Sequence, residues 1–367
     1  MIKDLEILNY RLFQKFNINS LAQVNLIVGS NNSGKSSLLE AVHLLTSDEV
    51  RSSLIYILNE RGEVASSYLD PRNDRGRRGG YQISQIFHDR SIKRGQFANI
   101  RSVTGPKTTL KITLQETKLE QASLFDGENE GDFLDEGFAD LLIFERNGSR
   151  LDTPIERLRI TEDGVILDSR IIGRGSLHPK GKSRFLTTNY IGYDELATLW
   201  DNITLTPKED KVVESLQILE PGVERISFTS SQSSNSGILI RLKGENEPIP
   251  LGSMGDGMRR IMAIAASLVS VENGTLLVDE IDTGLYYGTL TDMWRLVLET
   301  SLKQNAQVFA TTHSWDCVKA FQQALDKFDN PDIGRLIRLE KEGDTVKAVV
   351  YSTAELDIAI EQGIEVR

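Results

Sequence analysis

The residues whose types and spacing could do chemistry begin with a glycine-rich segment near the N-terminus. Residues 29–36 read GSNNSGKS and match the pattern G-x4-G-K-[ST] in full. The glycines let backbone N–H groups turn inward around phosphates, and a following helix adds the positive end of its dipole. In such a loop Lys35 reaches the β- and γ-phosphate oxygens, and the Ser36 hydroxyl is a ligand of Mg²⁺. The candidate residues for binding ATP here are Asn31, Asn32, Ser33, Gly34, Lys35, Ser36 and Ser37.

Two adjacent acids, Asp279 and Glu280, form the second candidate. They follow the apolar run 276–278, and buried strands rarely end in two neighbouring carboxylates without a cation or a water to offset the desolvation. With a phosphate-binding loop in the same sheet, Asp279 would hold Mg²⁺ through its water shell. Glu280 would polarise the water that attacks the γ-phosphate. A pair of helix-capping acids is the alternative.

His313 is the third candidate, because it follows the strand-like run 307–311. An imidazole there could contact the γ-phosphate and sense its presence, although a lone histidine is more often structural. The order of loop, acidic pair and histidine favours the catalytic interpretation. The catalytic candidates are therefore Lys35, Glu280 and His313, and the metal candidates are Ser36 and Asp279.

A second glycine-rich segment, residues 251–260, reads LGSMGDGMRR and precedes an expected helix at 261–271. Two glycines and a serine at a helix N-terminus can bind an anion. Because one chain seldom needs two such devices for one nucleotide, we expect this segment to cap the γ-phosphate held by another copy of the chain. The alternative is a glycine-rich turn with an ordinary serine cap.

The elements that must position these residues are three short β-branched runs, Val24–Val28, Thr275–Val278 and Gln307–Thr311. Each run ends in a polar or glycine-rich turn and leads into a helix-like stretch, which predicts a parallel sheet covered by helices. The expected helices are 36–46, 208–219, 286–302 and 316–327. The other expected strands are 2–8, 108–114 and 141–145, with a closing hairpin at 334–340 and 345–351. Residues 70–106 are rich in glycine, arginine, asparagine and serine, and we expect loops there.

Composition describes an ordinary globular chain with segregated charge. The net charge is −11, but 72–101 carries eight Lys/Arg against two acids, and 169–193 carries five and no acid. Between them, 116–145 carries ten acids and one lysine. The acidic total argues against wholesale coating of nucleic acid, whereas the basic blocks are either interaction surfaces or solvated segments. One cysteine, an acidic start and a longest apolar run of 11 residues lead us to expect a cytoplasmic protein without a membrane span.

Taken together, the motifs resemble the ABC-type ATPase heads of the SMC/RecF/OLD class, and most closely the stand-alone OLD-like bacterial AAA-family ATPases. The resemblance also includes the opening LEILNYRLF, the run LLVDEIDTGLYY and the run FATTHSWDC. It implies an α/β P-loop NTPase fold, an ABC/SMC-like ATPase head with a mixed sheet and an inserted strand-plus-helical lid region. We expect the head at 1–115 and 222–367, with the inserted lobe and helical lid at 116–221.

By this resemblance, residues 29–37 are Walker A, 253–257 the signature, 279–280 Walker B and 281–286 the D-loop, and His313 is the switch histidine. Arg11 matches the family's early arginine, expected near the nucleotide. The residues that would bind ATP from the sister molecule are Ser253, Gly255 and Gly257. The signature reads SMGDG rather than LSGGQ, and Tyr286 stands where OLD-like proteins usually carry a histidine. Only 54 residues follow His313, too few for the Toprim nuclease domain of OLD proteins, so we expect no nuclease activity.

Four hypotheses remain for function. The first is an ATP-driven dimeric switch, hydrolysing ATP slowly with Mg²⁺, that controls a separately encoded nuclease or toxin in defence against phage or foreign DNA. The second is a RecF-like ATPase that binds DNA in repair, which the basic blocks favour. The third, a transporter motor, conflicts with the 218 residues between Lys35 and Ser253. The fourth is a nucleotide sensor without turnover, which the presence of Glu280 disfavours.

Overall fold

A computed structural model describes residues 1–65, 79–105, 107–118, 138–150, 158–160, 165–168, 181–188, 193–229, 237–328 and 330–366. The strands are β1 (Leu5–Tyr10), β2 (Phe13–Ile18), β3 (Val24–Val28), β4 (Val64–Ala65), β5 (Gly79–Gln82), β6 (Phe97–Ser102), β7 (Thr108–Lys118), β8 (Phe138–Arg146), β9 (Ser149–Arg150), β10 (Leu158–Ile160), β11 (Val165–Asp168), β12 (Ser183–Leu186), β13 (Val223–Thr229), β14 (Gly237–Leu242), β15 (Ile249–Pro250), β16 (Thr275–Val278), β17 (Gln307–Thr311), β18 (Gly334–Glu342) and β19 (Thr345–Tyr351). The helices are α1 (Lys35–Thr46), α2 (Val50–Glu60), α3 (Tyr193–Asp201), α4 (Pro207–Leu216), α5 (Asp256–Ser270), α6 (Leu290–Gln304), α7 (Trp315–Leu325) and α8 (Thr353–Glu361).

The central sheet has six strands in the order β12-β16-β17-β3-β18-β19. Its first five strands are parallel, and β19 returns antiparallel to β18. The register pairs Val278 with Ala310 and Thr311 with Ile27, so β16, β17 and β3 end at one edge of the sheet. Ligand sites of parallel sheets lie at such carboxyl edges, and all three predicted motifs follow these strands.

The strands β3, β16 and β17 at the centre of the sheet are buried on both faces, which explains why they are mainly apolar rather than alternating. Along β3, Leu26 faces one hydrophobic core and Ile27 the other. The first core is shared with helices α3 to α8 and with the small sheet β13-β14-β15. The second core is shared with α1, α2 and a ten-stranded sheet. The phosphate-loop helix α1 and the helix α5 therefore lie on opposite faces of the sheet.

The ten-stranded sheet runs in the order β2-β1-β6-β7-β8-β10-β11-β5-β4, with β9 beside β8, and its pairings are antiparallel. The expectation of loops throughout 70–106 is wrong at β5 and β6. In β6, Ala98 and Ile100 alternate with polar residues and are fully buried against the second core. The burial of every second side chain favours a strand here, despite the glycine-rich and basic composition of the surrounding segment.

The division of the chain at residues 115 and 221 stays a prediction. Strand β7 runs through residue 115, and the ten-stranded sheet takes strands from both sides of that point. The arginines at 72, 75, 77 and 78, and those at 170 and 174, lie outside the described residues. Most of the acidic block at 116–145 does as well, and the roles of the three charged blocks stay predictions.

Candidate functional site

The phosphate loop, residues 29–37, joins β3 to α1 and takes backbone conformations that glycine permits. Gly29 has φ 147° and Gly34 has φ 102°. A Cβ on Gly29 would lie 2.6 Å from the carbonyl oxygen of Leu339 on β18, and a Cβ on Gly34 would lie 3.0 Å from the ring of Phe13. Asn32, at φ 59°, is of a residue type that tolerates the left-handed region. These requirements explain the two glycines of the motif.

The Lys35 ammonium is folded back onto its own loop. Its Nζ donates to the carbonyl oxygens of Gly29 at 2.8 Å and Ser30 at 2.9 Å. Burial lowers the pKa of Lys35, while the charges of Asp279 and Glu280 act in the opposite direction. A buried ammonium held by neutral carbonyl oxygens can form stronger, charge-assisted hydrogen bonds with phosphate oxygens, and a metal cation would offset the two nearby carboxylates.

A second feature of the loop fits a phosphate oxygen. The Ser33 side chain is fully buried, and its hydroxyl has no hydrogen-bond partner among the described residues. An unpaired buried hydroxyl costs free energy that an accepting oxygen would recover. Asn31 and Asn32, by contrast, are exposed at the rim of the loop.

Ser36 and Asp279 lie side by side, although 243 positions separate them in the chain. The Ser36 hydroxyl donates to Asp279 Oδ2 at 2.8 Å, and the Thr311 hydroxyl donates to the other carboxylate oxygen. A serine oxygen and a carboxylate oxygen are the hard donors that Mg²⁺ prefers beside phosphates. The two side chains therefore fit a shared Mg²⁺ site, with Thr311 orienting the carboxylate, and their role as metal ligands stays a prediction.

Glu280 follows directly and has a constrained backbone. Its φ is 47°, its N–H donates to the Thr311 hydroxyl at 2.8 Å, and its Oε2 accepts from the Thr283 hydroxyl at 3.2 Å. A left-handed conformation is uncommon for a residue with a side chain and is frequently found at active sites. The sequence analysis missed Thr311, which holds both Asp279 and Glu280. Its position at the last residue of the third strand was the available signal.

His313 is exposed and lies two residues after the end of β17, at the same edge as the phosphate loop and the acidic pair. The segment is anchored by Thr312, whose hydroxyl donates to Asp282 Oδ1 at 2.6 Å. Ser314 caps α7 by accepting from the N–H of Cys317. The structure thus brings Lys35, Ser36, the acidic pair and His313 to one edge of the central sheet.

The signature segment, residues 253–257, is presented at the surface. Ser253 and Gly255 are exposed, and α5 begins at Asp256 rather than at the expected residue 261. The earlier start follows from Gly255, whose φ of 92° ends the preceding turn and lets the helix begin at the next residue. A Cβ on Gly257 would lie 3.2 Å from the Gly284 carbonyl oxygen, so the segment packs closely on the predicted D-loop.

The D-loop continues into two exposed tyrosines. Tyr286 is 64% exposed and Tyr287 66% exposed, and their ring centroids are 4.4 Å apart. Exposed aromatic pairs of this kind are unusual on monomers and enriched in interfaces. The tyrosine pair directly follows the loop on which Gly257 packs, and both the pair and Ser253 and Gly255 are exposed.

Arg11 is placed in a buried ion-pair cluster. Its Nε lies 2.5 Å from Glu40 Oε2 on α1, and its Nη1 lies 2.8 Å from Glu63 Oε1. Arg61 also pairs with Glu40 and approaches the Ser37 hydroxyl at 3.4 Å. A buried guanidinium needs opposite charge, and these carboxylates supply it. The structure gives Arg11 a bracing role behind α1, and its contact with a nucleotide stays a prediction.

Two further observations limit other kinds of site. The described residues contain no cluster of three or more His, Cys, Asp or Glu side chains arranged to hold a metal. Among the helices in the described ranges, none combines the length and apolar character needed to cross a lipid bilayer.

Comparisons with known proteins agree with this geometry. The chain is 21% identical to the ATP/GTP phosphatase of Helicobacter pylori over 396 aligned residues, which cover 98% of each protein. Among solved structures, an SMC head bound to the C-winged helix domain of ScpA aligns over 98% of this chain and 99% of that one, with TM-score 0.54 and 15% identity. A Pyrococcus furiosus SMC head domain with an extended coiled coil aligns over 99% of both chains, with TM-score 0.53 and 13% identity.

The structural likeness confirms the predicted fold, a P-loop ATPase of the ABC/SMC-like type. It does not separate an OLD-like branch from the rest of the class, so that finer assignment stays a prediction. A family match extends over residues 24–316, from the first strand of the central sheet to the start of α7. The chain belongs to the family described as AAA domain, putative AbiEii toxin, Type IV TA system.

Proposed function

We propose that this protein binds and hydrolyses Mg-ATP at the edge where the phosphate loop meets Asp279 and Glu280. The observation that carries the proposal is the 2.8 Å hydrogen bond from Ser36 to Asp279, with Glu280 next in the chain. A helix N-terminus, a lysine and a serine-carboxylate pair at one point form a site for a triphosphate and its metal. The name of the Helicobacter pylori relative, an ATP/GTP phosphatase, supports the same chemistry.

Each side chain then has a defined task. Lys35 exchanges its loop carbonyls for phosphate oxygens, and the Ser33 hydroxyl donates to another. Ser36 and Asp279 would hold Mg²⁺, which neutralises charge on the phosphates when bound. Glu280 orients the attacking water and accepts its proton, and His313 contacts the γ-phosphate side.

The catalytic unit in this proposal is a dimer in which two chains enclose two ATP molecules. The exposed signature segment of each chain would complete the site on the other, through Ser253, Gly255 and Gly257. An exposed N-terminus of a 15-residue helix offers backbone N–H groups to an anion, and the γ-phosphate of a sister chain's ATP supplies one. Hydrolysis removes that bridge and releases the dimer.

The switch is proposed to act on a separately encoded effector, a nuclease or toxin, in cytoplasmic defence against phage or foreign DNA. The family description names a putative toxin of a type IV toxin–antitoxin system, which supports a role in a system of that class, and the separate effector is the proposal's own addition. The solved SMC head bound to a ScpA domain shows that a chain of this fold can carry a partner protein. A pull-down with Glu280→Gln and ATP would recover the effector, because the ATP-bound state then persists.

The hydrolytic proposal is tested by phosphate release and ATP binding in two variants. Lys35→Ala is expected to lose ATP binding, and Glu280→Gln to keep binding but lose hydrolysis. Glu272→Gln, the same change at an exposed acid paired with Lys208, is the control and should behave like the parent. If Glu280→Gln hydrolyses ATP at the parental rate, the assignment of this site is wrong.

A further inference from the structure

Arg260 connects the signature helix to the acidic pair within one chain. It lies in the second turn of α5 and is 9% exposed. Its Nη2 donates to the carbonyl oxygens of Asp279 at 2.8 Å and Glu280 at 3.3 Å. Its Nη1 donates to the carbonyl oxygen of Thr187, just after β12, at 3.1 Å. One guanidinium therefore spans the ends of two neighbouring strands.

These contacts hold the backbone on both sides of Glu280. Arg260 binds the carbonyl before this residue and its own carbonyl, while Thr311 accepts from its N–H. The positive φ of 47° persists only where surrounding contacts fix it. The direction in which the Glu280 carboxylate points thus depends on where Arg260 lies.

The position of Arg260 depends in turn on α5. Arg260 lies three positions after Gly257, the last residue of the signature segment, and the helix is continuous between them. Helices move as rigid units when domains or subunits dock. A displacement of the exposed segment by a sister chain would therefore move the guanidinium with the helix.

We propose that Arg260 is a positioning residue that couples occupancy of the signature segment by a second copy of the chain to the orientation of Glu280 in its own copy. The inference rests on the proposed function, and it adds a consequence. Each ATP in the dimer is hydrolysed fastest when the other site also holds ATP, because each signature segment touches its sister's nucleotide. Hydrolysis in the parent is therefore cooperative in ATP concentration.

The experiment measures the initial rate of hydrolysis against ATP concentration for the parent, Arg260→Lys and Arg260→Gln, together with ATP binding and thermal unfolding. Arg295→Gln is the matched control, because Arg295 is an exposed helical arginine paired with Glu299. For Arg260→Gln we expect a loss of about 10- to 100-fold in kcat, the range of typical coupling energies. We also expect its Hill coefficient to fall below the parental value, with ATP affinity at the phosphate loop unchanged. Arg260→Lys keeps one cationic donor and should be intermediate, and Arg295→Gln should match the parent.

A brace that only stabilises the fold would lower the unfolding temperature and leave kcat and cooperativity of the folded protein unchanged. That result, or a parent that shows no cooperativity, overturns the inference. If Arg260→Gln does not fold, the test rests on Arg260→Lys. An Arg260→Lys variant with the parental rate and the parental cooperativity overturns the inference. Failure of the proposed function has a different signature. In that case either Glu280→Gln hydrolyses ATP at the parental rate, or the parent protein does not hydrolyse ATP.

Discussion

The Ser36 hydroxyl donates a hydrogen bond to Asp279 Oδ2 at 2.8 Å, across 243 positions of the chain. The contact exists because β3 and β16 are parallel strands on either side of β17, with their ends in register. Ser36 lies at the start of the helix that follows β3, and Asp279 directly follows β16, so both side-chain oxygens lie at the same edge of the sheet. The Ser36–Asp279 contact is thus a product of sheet topology, and it joins the two halves of the chain that carry the phosphate loop and the acidic pair.

Asp279→Asn tests this contact. Removing the charge while keeping the side-chain shape weakens Mg²⁺ binding, so we expect hydrolysis at a fixed Mg²⁺ concentration to fall by about 100-fold or more. A titration of the rate with Mg²⁺ should show the half-maximal concentration shifted upward. Asp316→Asn, at an exposed acid paired with Lys319, is the control. An unchanged Mg²⁺ dependence in Asp279→Asn would remove Asp279 from the metal site.

Arg11→Met tests the bracing role of Arg11. The substitution leaves Glu40, whose side chain is 4% exposed, with one of its two arginine partners. Breaking a buried ion pair is strongly destabilising, and we expect the free energy of unfolding to fall by about 3 kcal/mol. Chemical denaturation measures it. ATP affinity of the folded variant should stay near the parental value.

The matched comparison is Arg101→Met, which breaks an exposed pair with Glu6. Exposed pairs contribute about 1 kcal/mol or less, so this change should leave the free energy of unfolding nearly unchanged. If Arg11→Met loses ATP binding and keeps its stability, the arginine acts on the nucleotide and the bracing account is incorrect.

His43 on α1 predicts a pH dependence of stability. Burial, with a smaller effect from the nearby Arg184 charge, lowers the pKa of His43 from 6.5 to about 3. Below pH 6.5 the His43 side chain is protonated in the unfolded chain but stays neutral in the folded chain. The free energy of unfolding therefore falls as pH falls toward 3. The slope from this group approaches about 1.4 kcal/mol per pH unit.

The His43 contribution falls in the window between pH 6 and pH 4, and comparing the parent with His43→Gln separates it from the other titrating groups. Hydrogen bonds from Thr104 and Ser102, outweighing burial, lower the pKa of Asp4 from 3.8 to about 2, so its contribution is lost only at lower pH. In urea unfolding series, His43→Gln should reduce the slope within this window. An identical slope in parent and variant would mean that the imidazole is accessible to protons in the folded state.

Much of the central sheet could be predicted from the sequence. The bounds of β3, β16 and β17 are the predicted ones, because a strand buried on both faces reads as an uninterrupted apolar run with a polar end. The phosphate loop is a local motif whose glycines are required by the backbone. Such features depend on short stretches of chain and are visible in them.

The roles of Arg11 and Arg260 could not be predicted, because they depend on contact partners that are distant in the chain. Arg11 forms ion pairs with Glu40 and Glu63, and no pattern of residues around Arg11 in the sequence indicates either partner. Arg260 is one of two adjacent arginines, and only the fold distinguishes it. The helix α8 was also missed, although a local signal existed: Ser352 and Glu355 form a capping box at its start.

The central claim is that two chains enclose ATP, with the phosphate loop of one facing the signature segment of the other. The most direct measurement is the mass in solution of Glu280→Gln with Mg-ATP, compared with the same variant carrying Ser253→Arg. The account predicts a species of twice the 41.0 kDa chain that returns to one chain without ATP, and a double variant that binds ATP but stays monomeric. A Glu280→Gln chain saturated with ATP that remains a monomer, or an equally stable dimer in the double variant, would contradict it.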